Sequence, residues 1–385
     1  MAGLLYLEFM KELGLMFLKL GATAFGGPAA HIAMMEDEVV HRRKWITHEH
    51  FLDLLGATNL IPGPNSTEMA IHIGLLRGGW RGLILAGVCF ILPAVAITLL
   101  LAHLYVAYGA LPRFQPLMEG VRPAILAVIL AAVYRLSRPI IRKPFMVGTA
   151  IAVVVLNIAG LNEILLLIAS GITGLLWSSR GRLFSLGSNL FGLCASAPLT
   201  AFWMNQAARD TASLAGLGLF FLKIGSVLYG SGYVLVAFLE GGLVESRHWL
   251  TQTELLDAVA VGQFTPGPVL STATFIGYLI FGIPGAAVAT TGIFLPSFIF
   301  VLIISRFIPK LRQSPSTAGF LDGVNAASIG LMLAVTITLA ASTMTGLVAW
   351  GLFALAAYGI LVWNLHAAWI VGGSALAGWL MGNYL

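Results

Sequence analysis

The chain has few charged residues and almost no cysteine. Charged residues make up 10% of its 385 positions, against about 25% in an ordinary soluble domain, so most of its surface does not face water. Cys89 and Cys194 both lie in apolar segments, which argues against a disulfide framework and a cysteine-type metal site. Residues 1–10 are apolar with a glutamate and no small-residue cleavage site, so we expect no removable signal peptide.

The motifs of enzymes and ATP-driven pumps are also absent. The sequence has no His-Glu-x-x-His pair, no Gly-x-Ser-x-Gly elbow and no nucleotide-binding loop. We therefore expect no enzymatic activity, no cofactor and no ATP-driven pumping within this chain. The net charge of +5 does not predict nucleic-acid binding, because Lys and Arg stand at the ends of apolar runs, as the positive-inside rule describes.

Long apolar runs are what the sequence has instead. Hydrophobic residues make up 58% of the chain and the mean hydropathy is +0.92. A membrane span needs about 20 apolar residues. The clearest runs are Leu83–Tyr108, Phe145–Ile158, Leu161–Trp177, Ala286–Ile304, Ala326–Ala341 and Leu347–Trp363. They predict an all-α polytopic protein of the lipid bilayer, with roughly 10–13 membrane segments.

The second half of the sequence repeats the first. Residues 204 positions apart match over a long block, including Lys19 with Lys223 and Arg43 with Arg247. Pro62-Gly63-Pro64 falls on Pro266-Gly267-Pro268 at the same spacing. Shared membrane composition matches apolar residues by chance, but it does not match charged residues and prolines in register. The chain is therefore an internal duplication.

We expect one repeat over residues 1–180, a linker over 181–212 with a candidate extra membrane segment at Asn189–Met204, and a second repeat over 213–385. Loop charges favour an inverted arrangement of the repeats. The basic loop at Arg135–Lys143 should be cytoplasmic, and the loop before it should then lie outside. The counterpart of that outer loop contains Arg306, Lys310 and Arg312, so it should lie inside.

Each repeat begins with two helical segments that contain a helix-breaking motif. The motifs are Gly26-Gly27-Pro28 and Pro62-Gly63-Pro64 in the first repeat, and Gly230-Ser231-Gly232 and Pro266-Gly267-Pro268 in the second. Two prolines around a glycine stop a helix, so we predict broken or re-entrant half-helices that meet within the membrane. The alternative is a proline kink that neighbouring helices relieve. The second repeat lacks proline at its first break, so we expect that break to be less rigid than its counterpart in the first repeat.

Half-helix N-termini predict an anion site. Each such end has unpaired N–H groups and the positive end of the helix dipole. Asn65, Ser66 and Thr67 are expected to cap one of these helices and to donate hydrogen bonds. The candidate ligands around the breaks are Gly26, Gly27, Pro28, Pro62, Gly63, Pro64, Asn65, Ser66, Thr67, Pro266, Gly267, Pro268 and Ser271.

Two lysines lie at equivalent places in apolar segments of the two repeats. An ionisable group inside a membrane segment is costly and usually functional, although a lysine near the interface can also extend its ammonium to the headgroups. We expect Lys19 and Lys223 to be buried and to complete a shared central site for a small tetrahedral dianion. The candidates for proton coupling are His31, Glu36, Glu68 and Glu240, with His72, Asp53 and Asp257 as further titratable groups. Glu36 belongs to a charged run that would also fit a solvated segment.

The ordered motifs resemble those of the chromate ion transporter family. The resemblance rests on Phe25-Gly26-Gly27-Pro28, Arg43–Trp45, Leu60-Ile61-Pro62-Gly63-Pro64-Asn65 and Phe264-Thr265-Pro266-Gly267-Pro268, and it extends over essentially the whole chain. It implies an antiporter of the bacterial or archaeal inner membrane that expels chromate and is coupled to the proton gradient. It also implies that the glycines and prolines of these motifs, with Asn65, are functional.

Three alternatives stay open. Sulfate resembles chromate in charge, shape and size, so a site of backbone donors would discriminate poorly between them, and the chain could transport sulfate or a related oxyanion. An anion channel could share the same architecture, and an intramembrane enzyme is the remaining class. A homodimer is expected only because two-fold assemblies are the commonest oligomers.

Overall fold

The structure is a computed structural model that describes residues 2–25, 27–108, 115–178, 212–229, 232–305 and 315–384. All regular secondary structure in these ranges is helical, as expected for an all-α protein. The helices of the first repeat are α1 (Ala2–Thr23), α2 (Pro28–Glu36), α3 (His48–Thr58), α4 (Asn65–Tyr108), α5 (Gln115–Ile141), α6 (Pro144–Ile158) and α7 (Glu163–Ser178). Those of the second are α8 (Leu214–Val227), α9 (Leu235–Leu239), α10 (Gln252–Phe264), α11 (Thr272–Ile304), α12 (Pro315–Thr343), α13 (Leu347–Leu361) and α14 (Ala367–Tyr384).

Several residues named above lie outside the described ranges. They are Gly26, Gly230, Ser231, the linker residues 181–211, and Arg306, Lys310 and Arg312. The inverted arrangement and the repeat boundaries therefore stay predictions.

The predicted helix breaks are confirmed. Helix α1 ends at Thr23 and α2 begins at Pro28, so the first segment is interrupted where the glycine-proline motif stands. Helix α3 ends at Thr58 and α4 begins at Asn65, with the Pro-Gly-Pro loop between them. In the second repeat α8 ends at Val227, and a short 3₁₀ turn at Gly232–Val234 leads into α9.

Two long helices turn back on themselves at a glycine. Gly79 in α4 has φ 59° and ψ −150°, and Gly282 in α11 has φ 62° and ψ −147°. In a straight helix, residues eight apart are separated by about 12 Å. Yet a Cβ atom on Gly74 would collide with the carbonyl oxygen of Gly82, so the chain reverses between them. Each of these helices is therefore a half-helix followed by a longer helix that packs back against it.

The duplication extends to local details of the backbone. A single π-helical turn follows α2 at Asp37–Arg42 and α9 at Glu240–Glu245, places that correspond to within one residue. Thr47 and Thr251 both cap the next helix by accepting a backbone N–H three residues on. These matches are not required by membrane composition, so they confirm two copies of one unit.

The two repeats are interlocked rather than side by side. Helix α5 of the first repeat packs against α13 and α14 of the second, and α12 of the second packs against α6 and α7 of the first. Helices α4 and α11 pack against each other at the centre. The largest hydrophobic cluster accordingly contains residues of both repeats.

Four of the described helical stretches are long and apolar enough to cross a membrane. They are Asn65–Tyr108, Gln115–Arg138, Val269–Ile303 and Thr317–Thr343, and α6, α7, α8, α13 and most of α14 are shorter apolar helices. Many large apolar side chains on their outer surfaces are exposed, as expected for contact with lipid.

Candidate functional site

The Pro-Gly-Pro loop of each repeat is hydrogen-bonded to the first helix break of the other repeat. The Gly63 N–H donates to the Leu228 carbonyl oxygen at 2.6 Å, and the Gly267 N–H donates to the Ala24 carbonyl oxygen at 2.9 Å. We call these contacts the first and the second crossing. Gly63 corresponds to Gly267 and Ala24 to Leu228, so the two hydrogen bonds are related by the internal duplication. All four helix breaks therefore meet in pairs inside the protein.

Both crossings require glycine. Gly63 has φ +145° and Gly267 has φ +90°, conformations that side chains with a Cβ rarely adopt. A Cβ on Gly63 would collide with the Glu68 carboxyl group and the Ser297 hydroxyl. A Cβ on Gly267 would lie 3.0 Å from the Ala94 Cβ and 3.1 Å from the Gly21 carbonyl oxygen. The neighbours of the Pro-Gly-Pro backbone thus leave no room for a side chain at Gly63 and little room at Gly267.

At the first crossing, the N-terminus of α4 has free donors. The Pro64 carbonyl oxygen accepts the N–H groups of Thr67 and Glu68 at 2.8 and 3.0 Å, which leaves the N–H groups of Asn65 and Ser66 without acceptors in the helix. Ser66 and Thr67 are buried, and the Thr67 hydroxyl has no hydrogen-bond partner within the described residues. These are the donors that an anion at a helix N-terminus uses.

The prediction that Asn65 caps α4 is wrong. Asn65 lies in the first turn of the helix, and its side-chain amide donates to Asn59 Oδ1 at 2.7 Å. Pro64 provides the first carbonyl acceptor instead, because proline can occupy that place without needing a donor of its own.

Glu68 is the titratable group at the first crossing. Its side chain is 0% exposed, and Oε1 accepts a hydrogen bond from the Ser297 hydroxyl at 3.5 Å. Oε2 is buried without a hydrogen-bond partner within the described part of the chain. The Tyr229 phenol is close enough to Glu68 for electrostatic interaction. The carboxyl group therefore lies between the Pro-Gly-Pro loop of one repeat and two elements of the other.

His31 is the titratable group at the second crossing. Its Nε2 is 3.0 Å from the Ala24 carbonyl oxygen, the same atom that accepts the Gly267 N–H. The ring is 1% exposed, and its Nδ1 is buried without a partner in the described ranges. Ser271 is also buried and accepts a hydrogen bond from the Thr98 hydroxyl at 3.2 Å. Both crossings thus pair a backbone contact with a buried titratable side chain, and both titratable groups come from the first repeat.

The expectation that Lys19 is buried is wrong. Its side chain is 63% exposed, and Nζ forms an ion pair with Glu38 Oε1 at 3.4 Å. Glu38 also pairs with Arg42 at 3.4 Å and with Arg43, and its own side chain is almost completely buried. Lys19 thus faces outward from α1 because the carboxylate that neutralises it lies on the π-helical turn after α2.

Lys223 is half-buried and interacts electrostatically with Arg247 and Glu163. The residue that corresponds to Glu38 in the second repeat is Gly242, whose carbonyl oxygen accepts a hydrogen bond from Arg247. Glu163, at the start of α7, packs against the adjacent Gly241. A carboxylate from the other repeat therefore takes the place of the missing one.

The remaining titratable candidates are not at the crossings' hydrogen bonds. Glu36 accepts from His48 at 2.7 Å in a partly exposed position, and Glu240 is buried and accepts from Gln252 at 3.5 Å. His72 lies one turn after Glu68 and is buried with its Nε2 unpartnered within the described residues. Asp53 is exposed.

Asp257 has a partner that the sequence analysis did not single out. Arg122 donates to its two carboxylate oxygens at 3.1 and 3.2 Å, and Tyr105 donates to Oδ2 at 2.9 Å. These side chains border a polar cavity of about 370 Å³, with Glu119 at its edge. An arginine within a helix of membrane length is a recognisable signal, so Arg122 could have been found from the sequence. Ser297, Thr98 and Tyr229 could not, because isolated hydroxyl groups are common in membrane helices.

Comparisons with known proteins agree with this architecture. The family model described as "Chromate transporter" matches residues 11–175 and again residues 215–379. A chromate transport protein of Cupriavidus metallidurans is 34% identical over 376 residues, which cover 96% of this chain and 92% of that protein. A probable chromate transport protein of Synechococcus elongatus is 32% identical over 86% of this chain and 84% of its own length.

A chromate transport protein of Pseudomonas aeruginosa is 31% identical over 95% of this chain and 91% of its own length. No solved structure matches this chain. Because the family model matches twice and covers most of the sequence, the two interlocked repeats are two copies of the family's unit. The chain belongs to the chromate transporter family.

Proposed function

We propose that this protein exports chromate across the inner membrane, coupled to the proton gradient, and that the anion passes through the two crossings. The observation that carries the proposal is the pair of reciprocal hydrogen bonds from Gly63 to Leu228 and from Gly267 to Ala24. They join all four helix breaks inside the protein, where irregular backbone is tolerated only if it is buried or lines a polar path.

The chemistry of the crossings suits an oxyanion. The first turn of α4 offers the N–H groups of Asn65 and Ser66 and the hydroxyl of Thr67, and the helix dipole is positive at this end. The side chains here are buried, so such dipoles act with little screening by water. A tetrahedral dianion presents several oxygens to these donors at once. At the second crossing, the Ser271 hydroxyl accepts a hydrogen bond from Thr98 and keeps its own O–H group as a donor.

Proton coupling is assigned to Glu68 and His31. Each is buried at a crossing, and each has one atom without a hydrogen-bond partner among the described residues. Gain or loss of a proton there changes the charge beside the anion path directly. Glu36 is less suitable because it is partly exposed and paired with His48.

Export has a physical driving force. The movement of one negative charge out of a cell with an inside-negative potential releases about 2.3 kcal/mol of free energy per 100 mV. A dianion therefore leaves more readily than it enters, unless other ions move with it. The location in a bacterial or archaeal inner membrane is part of the proposal, since the relatives named above come from bacteria. A homodimer stays a prediction.

Flux through reconstituted vesicles tests the proposal. Purified protein in liposomes should transport chromate with saturating kinetics, and an imposed pH gradient should change the rate. Sulfate should be measured in parallel, because backbone donors favour both oxyanions. Sulfate flux without chromate flux would support the sulfate-transporter alternative. Flux that neither saturates nor responds to the pH gradient would contradict a coupled carrier and support a channel.

A further inference from the structure

The Glu68 carboxyl group lies against the loop that leads into the N-terminus of α4. Glu68 lies at the end of the first turn of α4, and its side chain folds back to the loop before the helix. A Cβ on Gly63 would collide with Oε1, so the carboxyl group touches the backbone that leads into the first turn. The unpartnered Oε2 and the free N–H groups of Asn65 and Ser66 therefore belong to one small region.

Among the described residues, no cation compensates the Glu68 carboxyl group. In the described part of the chain, no lysine or arginine forms an ion pair with Glu68. The groups that face it are the Ser297 hydroxyl from α11, the Tyr229 phenol from the break after α8, and the backbone of Gly63. On its own helix, Thr67 and His72 are the neighbouring buried polar side chains. An ionised carboxylate buried without a cation is costly, and a second negative ion beside it would repel it strongly.

We propose that chromate and one proton bind together, with the proton on Glu68. When Glu68 is protonated, its negative charge is gone and the donors at the N-terminus of α4 are free for the oxygens of the dianion. When Glu68 is ionised, its negative charge repels the dianion from those donors. This inference rests on the proposed function, because it takes the first crossing as the anion site.

The consequence is that the proton and the anion move in the same direction. A carrier that binds two ligands together transports both in one step, whereas an exchanger binds them alternately. One dianion with one proton carries a net charge of −1. The inside-negative potential still drives that charge outward, so co-binding is consistent with export and argues against exchange of chromate for protons.

Proton uptake on binding tests this inference with the wild-type protein itself. Purified full-length protein is placed in a weakly buffered solution at alkaline pH, where chromate is a dianion, and chromate is added in the presence of a pH dye. Across a pH series, we expect proton uptake that approaches one per chromate bound once Glu68 is ionised in the free protein, and an affinity that then falls about tenfold for each further unit of pH. Release of protons, or binding whose affinity and proton uptake do not change across the series, would overturn the proposal.

The variant Glu68→Gln identifies the group. Glutamine imitates the protonated acid, so this variant should bind chromate with an affinity independent of pH and without proton uptake. The matched control is Glu49→Gln, an exposed carboxylate on α3, which should behave as wild type. Persistent proton uptake in Glu68→Gln would show that another group takes the proton. If wild-type protein bound no chromate at all, the proposed function itself would fail, and the two failures are therefore distinguishable.

Discussion

At the scale of single residues, the two crossings depend on glycines whose conformation and surroundings both disfavour a side chain. Gly267 and Gly160 have the same φ of +90°, but only Gly267 has neighbours at the position of a Cβ. Substitutions at Gly267 and Gly160 therefore separate the free-energy cost of the backbone conformation from the cost of crowding the crossing. Gly160 is not among the residues of either crossing.

We predict that Gly267→Ala impairs both stability and chromate transport, while Gly160→Ala affects only stability. Each substitution should cost about 1 kcal/mol for the left-handed conformation, and Gly267→Ala a further 1–3 kcal/mol for crowding. Thermal unfolding of the purified proteins and vesicle flux at equal protein amounts measure the two effects. Equal transport by both variants would contradict a role for the second crossing.

The two equivalent lysines differ in their surroundings. Lys19 and Lys223 match in sequence, but the first is exposed beside Glu38 and the second is half-buried near Glu163. The expectation of two buried lysines failed because a lysine in an apolar segment has a long side chain that can turn outward to a carboxylate. Burial of a charge depends on where its counter-ion lies, and Glu38 is 19 residues away from Lys19.

At the scale of helices, a buried ion pair joins elements of the two repeats. Arg122 on α5 and Asp257 on α10 form a bidentate pair, and Tyr105 on α4 completes it. Asp257 is 1% exposed, so removal of the guanidinium leaves a carboxylate buried without its partner. The corresponding Asp53 of the first repeat is exposed, so burial of this carboxylate is a feature of the second repeat.

We predict that Arg122→Ala destabilises the protein by about 3 kcal/mol, the lower end for a broken buried pair, because Arg122 is partly exposed. The double variant Arg122→Ala, Asp257→Asn should recover part of that loss. Gln115→Ala, which changes another residue of the same cavity, is the control and should cost little. Thermal unfolding measures all three, and a cost below about 1 kcal/mol for Arg122→Ala would place the pair among weak surface contacts.

At the scale of the whole molecule, neither repeat can form the site alone. Each crossing takes its donor from one repeat and its acceptor from the other, and α5 and α12 each pack on the last two helices of the opposite repeat. The repeats of the sequence are therefore not separate bodies in space.

We predict that residues 1–180 and 213–385, expressed as separate chains, transport chromate only when they are produced together. Each part alone should be inactive because its crossing partners are missing. Vesicle flux and co-purification of the two parts provide the measurement, and the intact chain is the reference. Transport by either part alone would contradict a site shared between the repeats.

Much of the architecture was predictable because it follows from local rules. Proline and glycine break a helix wherever they stand, so Pro62-Gly63-Pro64 and its copy predicted the breaks. Apolar runs of the required length predicted membrane helices, and charged residues in register predicted the duplication. The reversals at Gly79 and Gly282 were not predicted, since a single glycine in an apolar run is equally common inside an uninterrupted helix.

The sequence alone determined that this protein is a duplicated membrane protein with broken helices and the motifs of its family. Only the tertiary structure decided which breaks meet, that Glu68 and His31 rather than Lys19 lie at the crossings, and that Arg122 neutralises Asp257. The physical reason is how far apart in the sequence the determining residues lie. The break of a helix and the length of an apolar run depend on residues within one segment, whereas the contact from Gly63 to Leu228 depends on how two interlocked repeats pack.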